Sequence, residues 1–325
     1  MSLFLDLDNL DTSIDEDTEN TIFCCDIIPS SIDIRDWSAD SIFSSKLTIP
    51  TKFDFREALL PVRNQGTINT SGACVGATIK EWQEFYNIGF QGYMSPTFLY
   101  NNRINQDGTY MSGREIMKIL KSHGSCREML YSSDNIQCIQ DISPEVYTEA
   151  NNFRIKAYAR VYTVHTLKVA LLKNGPCFIS FPVFNERKNL WKAKTGERQK
   201  GGTAMTVVGY SEKGFILRNS WGVKWGKNGY CTYPYEDWGS HFEIWTTIDD
   251  TSSNTDEKPK SIIGKSLYSI KKRLLHDIIK KNLFKELIPK TKAFFTKKKK
   301  DETEEITTTN SVIRTPTNTT IHLQI

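Results

Sequence analysis

The chain has 325 residues, of which 38% are apolar and 11% aromatic, enough for a packed core of ordinary enzyme size with flanking tails. A mean hydropathy of −0.44, with no run near the roughly 20 apolar residues of a membrane span, excludes a transmembrane helix. The net charge of +4 hides an asymmetry: in residues 6–40 Arg35 is the only base, whereas in residues 258–300 only Asp277 and Glu286 oppose the lysines and arginines. Charge separated in this way points to tails with different partners. Seven cysteines (24, 25, 74, 126, 138, 177 and 231) have neither disulfide-framework nor zinc-site spacing, and the start lacks the basic and apolar regions of a signal peptide. An intracellular, reducing location is expected, so Asn69-Thr70-Ser71 is a chance match to a glycosylation acceptor.

Residues 1–50 form an acidic arm rich in Ser, Asp and Thr. From Cys74, the sequence VGATIKEWQEFY puts Val75, Ile79, Trp82 and Tyr86 at helical spacing, predicting a helix that begins at or just before the cysteine. A second helix fits residues 113–123, with Ile116, Ile119 and Leu120 on one face and Gly124 as its stop. A short third helix fits residues 167–173, ended by Asn174-Gly175-Pro176. Strand-like runs follow: CFISFPVF, AMTVVGY, GFILRNSW, GYCTYPY and FEIWTTI. Helices first and antiparallel strands afterwards predict an α+β fold with the two classes segregated, helical over about 51–150 and β over about 151–249.

Residues 250–260 read as a linker. Beyond it, residues 261–289 place Leu267, Ile270, Leu274, Ile278 and Leu287 on one helical stripe opposite lysines, with Pro289 as the end. Such a basic amphipathic helix suits an anionic membrane surface or an acidic partner, and equally a helix docked on the main domain. Residues 290–325 read as a disordered tail. The basic residues lack the interleaved aromatics or groove-reading motif that specific nucleic-acid binding needs.

Three segments carry chemistry: FDFREALLPVRNQG, then SGACVGA opening a helix, then GGTAMTVVGY with ILRNSWGVKWGKNGY. In order and spacing, from Phe53 to Asp249, they resemble the papain-like cysteine peptidases, and especially the cysteine proteinases of large DNA viruses such as iridoviruses. The resemblance implies a two-lobed fold, a helical N-terminal lobe and an antiparallel, barrel-like C-terminal lobe, with a peptide or protein held in the cleft between them. No cofactor or metal is expected, and the chain is expected to be a monomer.

The resemblance assigns Cys74 as nucleophile, Asn219 as the residue orienting a histidine under the cover of Trp221, and Gln65 as an oxyanion donor beside the Cys74 N–H. A free thiol is only a few per cent thiolate at neutral pH. A helix N-terminus and an adjacent imidazolium supply the missing activation. Each residue also has a structural reading: Cys74 as a small buried helix residue, Gln65 in a turn, Asn219 and Trp221 as packing.

Two departures bear on activity. The family usually places the glutamine six positions before the cysteine, whereas Gln65 to Cys74 spans nine. The family's histidine position holds Thr203, whose hydroxyl can neither pair with a thiolate nor protonate a leaving amine. The five histidines (123, 165, 241, 276 and 322) all fall elsewhere in the family topology, with His241 the first to check as a relocated base. The expectation is a papain-like cysteine proteinase with impaired activity. The alternatives are an inactive pseudopeptidase that binds peptides, or a membrane-surface adaptor acting through residues 258–300. The first 50 residues show no long amphipathic helix, so no inhibitory prosegment is expected.

Overall fold

The computed structural model describes residues 25–43, 49–106, 108–133 and 142–250. The basic helix and tail expected after the linker lie outside them. Among the described residues no helix is long and apolar enough to cross a membrane.

Helices dominate the first half: α1 (Ala39–Ile42), α2 (Ser71–Ile88), α3 (Pro96–Asn101), α4 (Gly113–Ser122) and α5 (Pro144–Ala150). A short strand β1 (Phe53–Asp54) precedes α2. In the second half, β2 (Ile155–Arg160) and α6 (Val164–Asn174) lead into β3 (Cys177–Val183), β4 (Gly201–Tyr210), β5 (Gly214–Arg218), β6 (Tyr230–Pro234) and β7 (Glu243–Asp249). All strands pair antiparallel in the order β2-β7-β3-β4-β5-β6, with β1 added to β4. The fold is therefore α+β with segregated classes. The second helix and the last five strands follow their sequence patterns. α6 begins three residues earlier than expected because Thr163 caps it, its hydroxyl accepting from Thr166 N.

α2 is the central element and is buried along fourteen of its eighteen residues. An ordinary amphipathic helix would be wet on one face; this one has partners all round. Gly76 lets Leu99 of α3 and Ile116 of α4 approach to where a Cβ would meet their side chains at 2.9 Å. Charges on the remaining face are paired rather than solvated. Lys80, fully buried, is 2.7 Å from Glu84 and also bonds Asp249 at the end of β7, while Glu81 receives Arg63 at 2.6 Å. These bonds fix the rotation of α2 against the sheet, and so fix which residue its N-terminus presents to β4.

The acidic arm is not clear of the domain. Three of its aspartates are anchors. Asp26 bonds Ser71, Asp36 receives the Arg114 guanidinium at 2.5 Å, and Asp40 accepts from the Thr163 and Thr166 hydroxyls at 2.7 Å each. Ser30 adds a bond from its hydroxyl to Glu243 at 3.0 Å. Here acidic composition reflects docking onto paired donors, a pattern that composition cannot distinguish from a solvated tail.

Candidate active-site cleft

The helix expected to begin at or just before Cys74 begins at Ser71, and Cys74 is its fourth residue. Its first turn, Ser71-Gly72-Ala73, is small: Ser71 bonds Asp26 and the Ala204 N–H, Gly72 sits against Ile27, and Ala73 belongs to the core. Counting from Gln65, Ser71 stands at the six-position spacing and Cys74 at nine.

Ser71 is fully buried against β4: Ala204 N donates to its Oγ at 3.0 Å. Thr203, the residue before Ala204, is also fully buried, and its Oγ1 has no hydrogen-bond partner. Ser71 thus lies against Ala204, the residue after Thr203, while Cys74 lines a pocket with Thr206 of β4, Asn219 and Ser220. No imidazole stands beside the Ser71 hydroxyl; its partners are the Ala204 N–H and the Asp26 carboxyl.

Cys74 lies one turn further along α2, 5% exposed. Its Sγ has the Thr70 hydroxyl as its nearest polar partner at 3.9 Å, and burial pushes the thiol up to about 11 despite the nearby Arg63 charge. At neutral pH this leaves on the order of one thiolate in ten thousand. Cys74 lines a small pocket with Arg63, Thr206, Arg218, Asn219 and Ser220.

The other expected site residues are present and turned to structural use. Gln65 N donates to Ser220 O at 2.8 Å, and its Oε1 accepts from the Ser220 hydroxyl at 2.5 Å. Its Nε2, the expected oxyanion donor, donates to Ile68 O at 2.8 Å. Asn219 turns its Oδ1 to the Ser220 N–H at 2.8 Å, and its buried Nδ2 has no partner. Trp221 is buried and meets Trp225 edge-on, 5.6 Å between ring centres.

No histidine among the described residues bonds Ser71, Cys74 or Asn219. His123 packs on Tyr147, and His165 is exposed. His241 pairs its Nδ1 with the Tyr233 hydroxyl at 2.9 Å, and burial lowers its pKa to about 4. It is therefore a neutral ring in an aromatic cluster.

The cleft is filled by the chain's own arm. Ile27 N donates to Gly202 O at 3.0 Å, Ile28 N to Met111 O at 3.0 Å, and Met111 N to Asp26 O at 2.9 Å, so residues 26–28 bridge the helical half to the edge of β4. The Asp26 carboxyl caps α2: Ser71 N donates to one oxygen at 2.9 Å and the Ser71 hydroxyl to the other at 2.5 Å. Burial raises its pKa to about 7, while the Ser71 hydroxyl and the Ser71 and Gly72 N–H groups pull the other way. No inhibitory prosegment is expected from the sequence of the arm, yet its residues 26–28 span from Met111 to Gly202 without any helix.

Residues 49–241 match the family model described as papain family cysteine protease, and the chain belongs to that family. A similar relative is an uncharacterized peptidase C1-like protein of Acanthamoeba polyphaga mimivirus, 31% identical over 225 residues, 59% of this chain and 71% of the relative. The gut-specific cysteine proteinase of Caenorhabditis elegans is 28% identical over 115 residues, 33% of this chain and only 34% of the nematode protein. Among solved structures, xylellain, a cysteine protease from Xylella fastidiosa, superposes with a TM-score of 0.61 at 22% identity, covering 70% of this chain and 99% of xylellain. That likeness extends to the fold.

Proposed function

We propose that the domain is a papain-family pseudopeptidase, a fold that holds an extended peptide in its cleft and leaves it uncut. One observation carries this reading: the residue that α2 presents to the end of β4 is Ser71, beside Thr203, so neither half of a thiolate–imidazolium pair stands there. Cys74, the nucleophile expected from the motif, is instead a buried, neutral thiol whose helix position matches the structural reading of a small core cysteine. The Gln65 and Ser220 side chains bond one another and the Asn219 Oδ1 accepts from the Ser220 N–H, which supports a retained scaffold.

The test is turnover of fluorogenic peptides by the full chain, together with labelling by a thiol-directed epoxide and mapping of the labelled cysteine. The expected result is no turnover above a heat-denatured control and no native-state label on Cys74. Steady turnover that vanishes in Cys74→Ala would overturn the proposal and restore the cysteine-peptidase reading.

A further inference from the structure

We propose that this cleft is a receptor for an extended segment in which an aspartate directly precedes an isoleucine, and that residues 25–28 are its resident copy, exchangeable for a peptide of the same chemistry. The inference rests on the pseudopeptidase reading in one respect, that the bound segment stays intact.

Backbone bonds from Gly202 and Met111 would hold any strand. Selection must therefore come from side chains, and two positions provide it. Asp26 is fully buried, and both of its carboxyl oxygens meet donors, the Ser71 N–H and the Ser71 hydroxyl. An alanine there would leave the first N–H of an eighteen-residue helix buried without an acceptor, and would leave the Ser71 hydroxyl with only the Ala204 N–H. Ile27 is 2% exposed and belongs to the main core cluster.

Its seat is cut by glycines. A Cβ on Gly202 would stand 2.3 Å from Ile27 O, one on Gly72 would stand 2.7 Å from Ile27 Cδ1, and one on Gly201 would stand 2.6 Å from Cys25 Cβ. Any side chain at Gly202 would collide with the bound backbone itself, so the groove is shaped to a strand lying there. Ile28, by contrast, is 48% exposed and selects nothing.

A tethered segment competes at an effective concentration in the mM range, so a free peptide enters only when the arm is weakened. The experiment uses a fluorescent peptide with the sequence of residues 23–31, serine replacing both cysteines, titrated by anisotropy at mildly acidic pH. The receptors are the wild-type full chain and the full-length Asp26→Ala/Ile27→Ala variant. The expected result is binding to the variant at least about tenfold tighter than to wild type. Replacing the peptide's aspartate by alanine should cost at least about tenfold.

Equal binding of the aspartate and alanine peptides, or no binding to the variant, overturns the proposal. Cleavage of the peptide instead overturns the pseudopeptidase reading and leaves the selectivity measurement standing. If the double variant does not fold, hydrogen exchange on the single Asp26→Ala chain decides. The Ile27 and Met111 amides should exchange at least about tenfold faster than in wild type, and unchanged rates overturn the proposal.

Discussion

Two walls of the same cleft have had different fates. On the Asn219 side the polar groups remain knitted: Gln65 to Ser220 through both backbone and side chain, Arg63 to Glu81 and Glu128, and Arg218 to the carbonyls of Leu60 and Pro61 at 2.6 Å each. Facing it, at the end of β4, Thr203 keeps a buried hydroxyl with no partner, and the buried Asn219 amide nitrogen is equally unmatched. The contrast separates what the fold needs from what the reaction needs. Removing a scaffold bond exposes buried charge to an apolar interior, whereas removing a catalytic group leaves only an unused donor.

The largest expected effect comes from installing a thiol–imidazole pair at this wall. In a full-length chain carrying Ser71→Cys, Thr203→His and Asp26→Ala, a thiol stands at the α2 N-terminus beside an imidazole with the capping carboxyl gone. A thiol paired in this way is largely thiolate at neutral pH, against the roughly one in ten thousand left on Cys74. Epoxide labelling mapped to position 71 should then be ~10³-fold faster or more than labelling of Cys74 in wild type. Labelling that stays on Cys74, or fails to appear at position 71, breaks the assignment of Ser71 to the nucleophile position.

Next comes the intact wall. Arg63→Met strands the Glu81 carboxylate, whose side chain is 4% exposed, and removes the bonds to Glu128 and to Met94 O. Denaturant unfolding should report a loss of about 3–5 kcal/mol. A loss near zero would mean that this side of the cleft is as idle as the other.

Between the walls lies Asp26, where pH is the probe. Its folded pKa of about 7 lies above the ordinary carboxyl value of ~3.9 in an unfolded chain. The protonated form is therefore favoured on folding: its contribution is full below about pH 4 and is lost as pH rises through 7. Cys74, pushed up to about 11, does not titrate in this window. Unfolding free energy measured against pH should fall more steeply between pH ~4 and ~7 in wild type than in Asp26→Asn. Parallel profiles would show that the carboxyl is not held as the structure describes.

Much of the scaffold was legible in the sequence because it is built from local period. Strands β3 to β7 and helix α4 each carry their own pattern of apolar residues. The start of α2 was legible only in part. Thr70-Ser71 and the six-position interval from Gln65 both mark it, but a cysteine three residues on, at the first apolar repeat, draws the nucleophile to itself. The arm was not legible at all. Its bonds join residues 45 positions apart at Asp26–Ser71 and 213 apart at Ser30–Glu243, and a strand that borrows its partners from elsewhere has no signature of its own. Strand β2 was missed for a related reason: IKAYAR alternates weakly and owes its place to β7.

The smallest effect is also the sharpest test of the idle wall. At Thr203 the hydroxyl is buried with no partner, so Thr203→Val exchanges an unsatisfied polar atom for a methyl of nearly the same size. The wild-type hydroxyl loses on folding: water satisfies it in the unfolded chain, and nothing does so in the folded one. The expected outcome is a gain of about 0.5–1 kcal/mol in unfolding free energy. The control is the same exchange at Thr166, whose hydroxyl donates to Asp40 at 2.7 Å. Thr166→Val should cost about 1–3 kcal/mol, since it deprives a carboxylate of a donor. If the two substitutions change stability in the same direction, Thr203 has a partner in solution, and the β4 wall is a working surface rather than an idle one.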